Sequence, residues 1–384
     1  MPKKYKPVID FIRELYQTDD FIPLHEPKFV GNEKAYLVDC IESTFVSSVG
    51  KYVDRFESDV AAYTGAKYAI ATVNGTAALH IALKLSGVSG GDEVITQPLS
   101  FIATCNAISY CGASPVFVDV DRDTLGLSPQ SLKTFLKENA TRKAGGCINK
   151  LTGRKISAVV PMHTFGHPCR IDAIADICEE FGISLIEDAA ESLGSYYQGR
   201  HTGLYGKLAV FSFNGNKTIT TGGGGMLVTD DEFLAKRAKH ITTTAKVPHP
   251  YEFIHDETGY NYRLPNINAA LGCAQMETLS KLLASKRDLA TKYSSFFCAD
   301  SDISFIQEPS GSRANYWLNA LVLKDVQARD NFLSELNEAG VMTRPIWCLM
   351  TELDMFSHCQ SSDISNAKWL AERVVNIPSS ARVQ

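Results

Sequence analysis

Long apolar runs are missing from this chain of 384 residues. No stretch of 18 or more uncharged apolar residues occurs, so we expect no membrane-spanning helix. The first residues, Met1-Pro2-Lys3-Lys4, lack the apolar core of a signal peptide. Charge of one sign is not in excess either, because 38 basic and 43 acidic residues are mixed along the chain and give a net charge of −5. Neither a nucleic acid nor a membrane is therefore expected as a partner.

Regularly spaced cysteine pairs are also missing. The ten cysteines are spread widely with no Cys-x-x-Cys pair, so we expect them to be reduced and mostly buried. His163 and His167 have no carboxylate or cysteine at the usual spacing to complete a ligand set, so no metal site is predicted. Together with the missing signal peptide, these features predict a cytoplasmic protein.

Short apolar runs alternate with helical segments between residues 67 and 227. The runs are residues 69–72, 93–96, 116–118, 157–161, 184–187 and 208–211, and a further run follows at 226–228. This rhythm indicates βα units and a mainly parallel sheet that is covered on both faces. A helix beginning after Asn32 is expected to pack through Leu37, Ile41 and Phe45.

The pattern changes after a long helix at about residues 265–289. Residues 316–323 and 341–347 are typical of strands, and residues 328–339 are typical of a helix that Gly340 ends. We therefore predict an α/β protein with a large domain at residues 1–264. Residues 265–384 would form a connecting helix and a small C-terminal α+β lobe.

A single lysine stands between an apolar run and a run of glycines. Small and polar residues lead from Ser212 to Lys217, and four glycines follow at 222–225. A lysine held between two strands in such surroundings can be shielded from water enough to lose its proton near neutral pH. A neutral amine forms a Schiff base with an aldehyde. On this stretch alone, a surface lysine in a hairpin loop is the simpler interpretation.

An acidic residue ends an apolar run upstream. Asp188 follows the run at residues 183–186, so it should lie at the carboxyl end of a strand, where open α/β sheets bind their ligands. Pyridoxal phosphate requires a carboxylate facing its ring nitrogen, because that nitrogen is an electron sink only while it is protonated. Alone, such an acid is more often a helix cap or a member of a salt bridge.

A third segment has the features of a phosphate site. Strand-like residues lead into Asn74-Gly75-Thr76-Ala77 and then into a helix rich in alanine and leucine. The free N–H groups of the first helical turn, together with the helix dipole, attract an anion, and Thr76 adds a hydroxyl group. Such junctions are common, and most of them only cap a helix.

In this order, the three segments resemble the DegT-type family of pyridoxal-phosphate-dependent nucleotide-sugar aminotransferases. The motifs are Asn74-Gly75-Thr76, Glu187-Asp188-Ala189-Ala190 and Ser212-Phe213-Asn214-Gly215-Asn216-Lys217. The likeness covers nearly the whole chain and includes the closing Asn376-Ile377-Pro378-Ser379. It implies the aspartate-aminotransferase-like fold (fold type I), a mainly parallel seven-stranded sheet, and pyridoxal 5′-phosphate as the cofactor.

The resemblance also implies which residues contact the cofactor. Lys217 would bind it covalently and move protons, and Asp188 would face its ring nitrogen. The cofactor phosphate would lie on Gly75, Thr76, Ala77 and Ser212.

Further contacts with the cofactor follow from the same resemblance. Phe101 and Ala190 would cover the two faces of the ring. Glu191 would approach the ring hydroxyl, at a position that is commonly Gln or His in the family. Asn261 would reach the phosphate of the neighbouring subunit's cofactor, which implies a homodimer with shared active sites.

The substrate follows from the branch of the family that the chain looks most like. This branch makes UDP-linked 4-amino-4,6-dideoxy-N-acetylglucosamine for bacillosamine or legionaminic acid. Glutamate would be the amino donor, and a UDP-linked 4-keto-6-deoxy-N-acetylhexosamine the acceptor. The residues expected to bind substrate are Ser47, Ser48, His163, Arg344 and Trp347. Purely structural roles stay open for all five.

Other functions stay open as well. One alternative is an acceptor that carries dTDP or GDP, or a keto group at C3. Relatives that dehydrate sugars replace the lysine with histidine, whereas Lys217 is present here. A non-catalytic regulatory protein that only binds the cofactor is the third alternative, and the retained lysine, aspartate and serine argue against it.

Overall fold

The computed structural model of the chain describes residues 4–143 and 145–383. The first three residues, on which the signal-peptide expectation partly rests, lie outside this part. No helix in the described part is both long and apolar enough to cross a membrane. All ten cysteines are unpaired, and most are buried, as predicted.

Helices and strands account for most of the described chain. The helices are α1 (Lys6–Tyr16), α2 (Glu33–Glu42), α3 (Lys51–Thr64), α4 (Gly75–Leu85), α5 (Ile102–Tyr110), α6 (Pro129–Asn139), α7 (Ile171–Phe181), α8 (Glu232–Thr242), α9 (Asn266–Phe297), α10 (Val326–Glu338) and α11 (Ser365–Ala371). The strands of the first two thirds are β1 (Tyr68–Thr72), β2 (Glu93–Thr96), β3 (Ser114–Phe117), β4 (Ala140–Lys143), β5 (Gly146–Asn149), β6 (Lys155–Val160), β7 (Ser184–Asp188), β8 (Tyr196–Tyr197), β9 (Arg200–His201), β10 (Leu208–Ser212) and β11 (Gly225–Thr229). The remaining strands are β12 (Lys246–Val247), β13 (Ile254–His255), β14 (Ile303–Phe305), β15 (Ser312–Arg313), β16 (Asn319–Leu323), β17 (Arg344–Pro345) and β18 (Val374–Ile377).

The central sheet has the strand order β1-β11-β10-β7-β6-β2-β3. Strands β10, β7, β6, β2 and β3 run parallel, and β11 is antiparallel to both of its neighbours. Each of the seven apolar runs named above forms one of these strands. The predicted mainly parallel α/β fold is therefore confirmed. Strands β4 and β5 extend the sheet beside β6.

Helices cover both faces of this sheet because its strands are apolar on both sides. In β10, Ala209 and Phe211 pack into a cluster with residues of α3 and α9, whereas Leu208 and Val210 pack into one with residues of α4 and α8. Burying each large apolar side chain contributes about 1.5–3 kcal/mol. This two-sided burial leaves the carboxyl ends of the strands as the open edge.

A second, antiparallel sheet has the order β14-β16-β18-β17. Its strand residues Leu321 and Val375 form a core with Phe332 of α10, and Ile12 of the N-terminal helix α1 joins the same core. Helix α1 thus packs on the C-terminal sheet, although it lies at the other end of the chain. The division between residues 264 and 265 stays a prediction.

Helix α2 begins after Asn32, as predicted, but its apolar side is not covered within the chain. Ile41 is 62% exposed and Phe45 is 56% exposed. The prediction that they pack internally was wrong. The spacing identified an apolar strip correctly, but in the described part of the chain Ile41 and Phe45 stay mostly exposed.

Candidate active site

A cavity of about 640 Å³ lies between the carboxyl ends of the central strands and the C-terminal sheet. This volume is within the range that small-molecule sites occupy. Eight of the predicted cofactor contacts line it, namely Gly75, Thr76, Phe101, Asp188, Ala190, Glu191, Ser212 and Lys217. Residues from sequence positions more than a hundred apart therefore meet in one site.

The amino end of α4 forms one end of this cavity. Gly75 and Thr76 are the first residues of the helix, where backbone N–H groups have no intrahelical acceptor. Ser212, at the end of β10, lies against them: a Cβ on Gly75 would be 3.0 Å from Ser212 Cβ and 3.3 Å from its Oγ. Two amides, a hydroxyl and the positive end of a helix dipole thus surround a space that suits an anion.

Ala77 does not take part in this anion site. The Asn74 side chain caps α4, and its Oδ1 accepts the Ala77 N–H at 2.8 Å. Ala77 is buried and does not line the cavity. The predicted contact between Ala77 and the phosphate is corrected for this reason.

Asp188 ends β7 and is 5% exposed. Its Oδ2 accepts a hydrogen bond from Thr104 Oγ1 at 2.7 Å, and its Oδ1 accepts one from the Ala190 N–H at 3.2 Å. Both bonds fix the direction of the carboxylate. The sequence had not indicated Thr104, although it lies one helical turn beyond Phe101 in a segment already singled out.

Lys217 contacts two groups that stabilise a positive charge on its amine. Its Nζ lies 3.1 Å from Glu191 Oε1 and 3.8 Å from the centroid of the Trp317 ring, and its side chain is 13% exposed. A carboxylate and an aromatic face both attract a cation. That Lys217 loses its proton near neutral pH stays a prediction. A neutral amine requires transfer of this proton to an acceptor.

Glu191 is the nearest acceptor for that proton. It is 3% exposed, and its Oε2 accepts the Phe165 N–H at 2.8 Å. Burial raises the pKa of Glu191 to about 7, while the charge of Lys217 acts in the opposite direction. The Glu191 carboxyl group can therefore bind and release a proton near neutral pH.

Trp317 is held in place from two sides. Its indole Nε1 donates to the Asn216 carbonyl at 2.7 Å, and its own carbonyl accepts from Lys286 Nζ at 3.1 Å. Lys286 also donates to the Ser379 carbonyl at 2.6 Å, and its burial lowers its pKa to about 7. No local pattern connects residue 317 to residue 217, so the sequence could not have shown this contact.

The opposite side of the cavity is partly aromatic. Phe101 and Trp347 line it with ring centroids 6.4 Å apart, and Phe165 lies 5.0 Å from Trp347. Phe101 is 51% exposed, so its ring is available to a ligand. Arg344 also lines this side, so the two residues of the C-terminal lobe that were predicted to bind substrate do reach the cavity.

His163 does not reach the cavity. Its side chain is fully buried, with Nε2 3.0 Å from Glu187 Oε2. Nδ1 accepts the Cys169 N–H at 3.2 Å. Because both ring nitrogens are occupied by the protein, the prediction that His163 binds substrate is corrected to a structural role.

Three further predicted residues lie outside the cavity of their own chain. Ser47 and Ser48 are in the exposed loop after α2, and the Ser47 carbonyl accepts the Asn266 N–H at 2.6 Å. Asn261 is exposed and forms an isolated bridge with Thr243. Within one chain, none of the three contacts the site.

The residues present fit pyridoxal phosphate. The amides of Gly75 and Thr76 and the Ser212 hydroxyl suit its phosphate, and the Asp188 carboxylate suits its ring nitrogen. Lys217 offers the amine for its aldehyde. Glycine at position 75 lets the helix start approach Ser212 closely, because a Cβ there would be only 3.0 Å from Ser212 Cβ.

Replacing Ser212 by alanine is expected to weaken cofactor binding by about 10- to 100-fold, because a hydrogen bond to a charged group is worth about 1.5–3 kcal/mol. Titration of the apoprotein with pyridoxal phosphate measures this. Ser58→Ala, at an exposed position of α3, serves as the control. Equal affinities for the Ser212 and Ser58 variants would place the phosphate elsewhere.

Two buried histidines predict acid sensitivity. Burial lowers the pKa of His167 and of His201 to about 4. Below pH 6.5 the unfolded chain binds a proton at each imidazole and the folded chain does not, so stability should fall as the pH drops from about 6.5 to 4. Each group contributes up to about 1.4 kcal/mol per pH unit.

Denaturant unfolding at several pH values tests this. His167→Phe should flatten the dependence of the unfolding free energy on pH, and His358→Gln, at an exposed histidine, should not. Parallel pH dependences for His167→Phe and the unaltered protein would contradict the expectation.

Comparison with known proteins supports the same interpretation. The sequence profile of the DegT/DnrJ/EryC1/StrS aminotransferase family matches residues 27–384. GDP-perosamine synthase of Escherichia coli O157:H7 is 36% identical over 360 residues, which cover 94% of this chain and 93% of that protein. GDP-perosamine synthase of Vibrio cholerae is 37% identical over 363 residues, which cover 93% of this chain and 94% of that protein.

A solved structure agrees with this assignment. The aminotransferase TlmJ from Streptoalloteichus hindustanus superposes with a TM-score of 0.84 at 27% identity, covering 93% of each chain. The fold, the cavity and the matched residues thus lead to one conclusion: the chain belongs to the DegT/DnrJ/EryC1/StrS aminotransferase family.

Proposed function

We propose that this enzyme transfers an amino group from glutamate to the C4 keto group of a GDP-linked 4-keto-6-deoxyhexose. The cofactor is pyridoxal 5′-phosphate. The observation that carries the proposal is the meeting of Lys217, Asp188 and the anion site of Gly75, Thr76 and Ser212 in one cavity. The Lys217 amine lies 3.1 Å from the Glu191 carboxylate, a proton acceptor. A regulatory protein that only binds the cofactor does not need such an acceptor, so this pair favours an enzyme.

The residues have distinct tasks in this reaction. When bound, the cofactor supplies an electron sink for the electron pair released at the substrate carbon. Asp188 keeps a proton on the ring nitrogen. Lys217 Nζ takes the proton from the glutamate Cα and later delivers a proton to C4 of the sugar. Glu191 Oε1 accepts the proton of Nζ whenever the amine must be neutral. Glutamate leaves as 2-oxoglutarate.

The GDP-linked acceptor replaces the UDP-linked one predicted from the sequence. Both relatives described above are named for a GDP-linked amino sugar and cover more than nine tenths of this chain. This supports the alternative of another nucleotide over the bacillosamine or legionaminic acid branch. The shared chemistry, an amino group exchanged for a keto oxygen, is the same in both cases.

A homodimer with shared active sites is part of the proposal. The apolar strip on and after α2, formed by Val38, Ile41, Phe45, Val46 and Val49, is 44–68% exposed. Exposed apolar strips of this kind mark interaction surfaces. Ser47 and Ser48 lie within the strip, so a second copy that covers it would bring them toward the partner's cavity. Asn261 would likewise contact the partner's cofactor.

The test uses the two half-reactions separately. Holoenzyme is treated with L-glutamate, and the absorbance of the bound cofactor and the release of 2-oxoglutarate are followed. The aminated enzyme then receives either GDP-4-keto-6-deoxymannose or UDP-4-keto-6-deoxy-N-acetylglucosamine. Recovery of the original absorbance with the GDP sugar, together with a GDP-linked amino sugar, is expected. Recovery only with the UDP sugar would overturn the nucleotide assignment, and no response to glutamate would overturn the aminotransferase.

A further inference from the structure

Asn376 presents an unused hydrogen-bond donor in the wall of the cavity. The residue lies on β18, lines the cavity and is 3% exposed. Its Nδ2 is buried and has no hydrogen-bond partner among residues 4–143 and 145–383. Buried polar side chains in native proteins nearly always have a partner. This donor is therefore free to bond to an acceptor that enters the cavity.

Arg344 is the cross-strand neighbour of Asn376. The register of β17 and β18 pairs the two residues directly, so their side chains lie on the same face of the sheet, and both line the cavity. The Arg344 guanidinium makes a long hydrogen bond of 3.5 Å to the Thr343 carbonyl. In the described part of the chain no carboxylate pairs with it. Among the described residues, Asn376 thus offers a free donor, and Arg344 offers donors whose only acceptor is the distant Thr343 carbonyl.

The charge of this pair decides which ligand it suits. One guanidinium and one amide give a single positive charge and N–H groups that point to acceptors, which matches a carboxylate with two acceptor oxygens. A diphosphate carries more charge than the pair can balance. Asp188 and Glu191, in the same cavity, repel a carboxylate from their own surroundings, which leaves the side of Asn376 and Arg344 for it.

We propose that Asn376 and Arg344 together bind a carboxylate of the amino-acid substrate. The inference rests on the proposed function, because it assigns the glutamate subsite of the same cavity. Arg344 supplies the charge, and Asn376 supplies a direction-specific donor that distinguishes one orientation of the amino acid from others. Neither residue takes part in proton transfer, so the pair governs glutamate binding more than the rate of the bound complex.

The glutamate half-reaction of the holoenzyme provides the test. Asn376→Ala is expected to raise the glutamate concentration that gives half the maximal rate by about 10- to 100-fold, with the maximal rate changed by less than about threefold. Asn376→Asp should have a larger effect, since its carboxylate both repels the ligand and pairs with Arg344. The dependence of the second half-reaction on the keto sugar should be unchanged in both variants.

A matched control and a second variant keep the result interpretable. Asn331→Asp introduces the same negative charge as Asn376→Asp, but at an exposed position of α10. It should alter neither half-reaction. If the Asn376 variants fail to fold, Arg344→Gln tests the same subsite. Arg344 is exposed, so its replacement should not prevent folding, and it should weaken glutamate binding in the same way.

The outcomes separate this inference from the proposed function. An unchanged glutamate dependence in Asn376→Ala, or a change confined to the keto sugar, would overturn the carboxylate subsite. The proposed function would still stand as long as the unaltered enzyme reacts with glutamate. An unaltered enzyme that shows no glutamate half-reaction would remove both.

Discussion

Replacing Lys217 by alanine is expected to abolish turnover and the visible absorbance of the lysine-bound cofactor at the same time. The side chain has two tasks, because its amine binds the cofactor covalently and moves the substrate proton. Loss of the proton transfer alone costs about 100- to 10,000-fold in rate, so the combined loss should exceed about 10,000-fold. Absorbance spectra and single-turnover rates with glutamate measure both effects.

The matched control is Lys207→Ala. Lys207 is an exposed lysine next to β10, the strand that leads to the site, and it does not line the cavity. It should retain the absorbance and the rate. The anion site of Gly75, Thr76 and Ser212 is intact in Lys217→Ala, so this variant should still retain the cofactor noncovalently. A Lys217→Ala enzyme that turns over would refute the assigned role.

Replacing Asp188 by asparagine is expected to lower the rate of both half-reactions by about 100- to 1,000-fold, the range seen when one preorganised electrostatic contact is removed. Asparagine has the same shape but no negative charge, so the ring nitrogen loses the group that keeps its proton. Thr104 Oγ1, which donates to Asp188 Oδ2 at 2.7 Å, then faces a neutral amide. The covalent attachment to Lys217 should persist.

Single-turnover kinetics with glutamate and with the keto sugar test this expectation. Asp176→Asn, an exposed change of the same kind on α7, is the control and should leave both rates unaltered. If Asp188→Asn slowed only one half-reaction, the ring-nitrogen role would be excluded, because that nitrogen must be protonated in both.

The parts of the site predicted from sequence are those with a local signature. Asp188 follows an apolar run, and Gly75 and Thr76 open a helix after a strand, so each could be placed at the carboxyl edge of a sheet from its own neighbours. Lys217 differs, because only its combination with the other two segments distinguished it from a loop lysine. For each of these residues, the sequence pattern of its immediate neighbours predicted where its backbone lies in the fold.

The errors share one cause, which is the direction and surroundings of side chains. His163 is at the predicted strand end, yet its ring turns to Glu187 and away from the cavity. Ala77 is at the predicted helix start, yet Asn74 already uses its N–H. Ile41 has the predicted helical spacing, yet its side chain is 62% exposed. Residue type and position in the chain do not specify which residues of distant segments a side chain will contact.

By itself, the sequence determined the α/β class, the strand edge that carries the site, and the lysine, aspartate and serine that line it. These depend on hydrophobic periodicity and on turn residues, which act over a few positions. Only the tertiary structure decided that Trp317 and Glu191 contact the Lys217 amine, that Thr104 orients Asp188, and that Asn376 stands beside Arg344 with a free donor. These contacts join residues 26, 84, 32 and 100 positions apart, in Glu191–Lys217, Thr104–Asp188, Arg344–Asn376 and Lys217–Trp317. Separations of this size lie beyond the few positions over which a local pattern acts, so only the folded chain brings the side chains together.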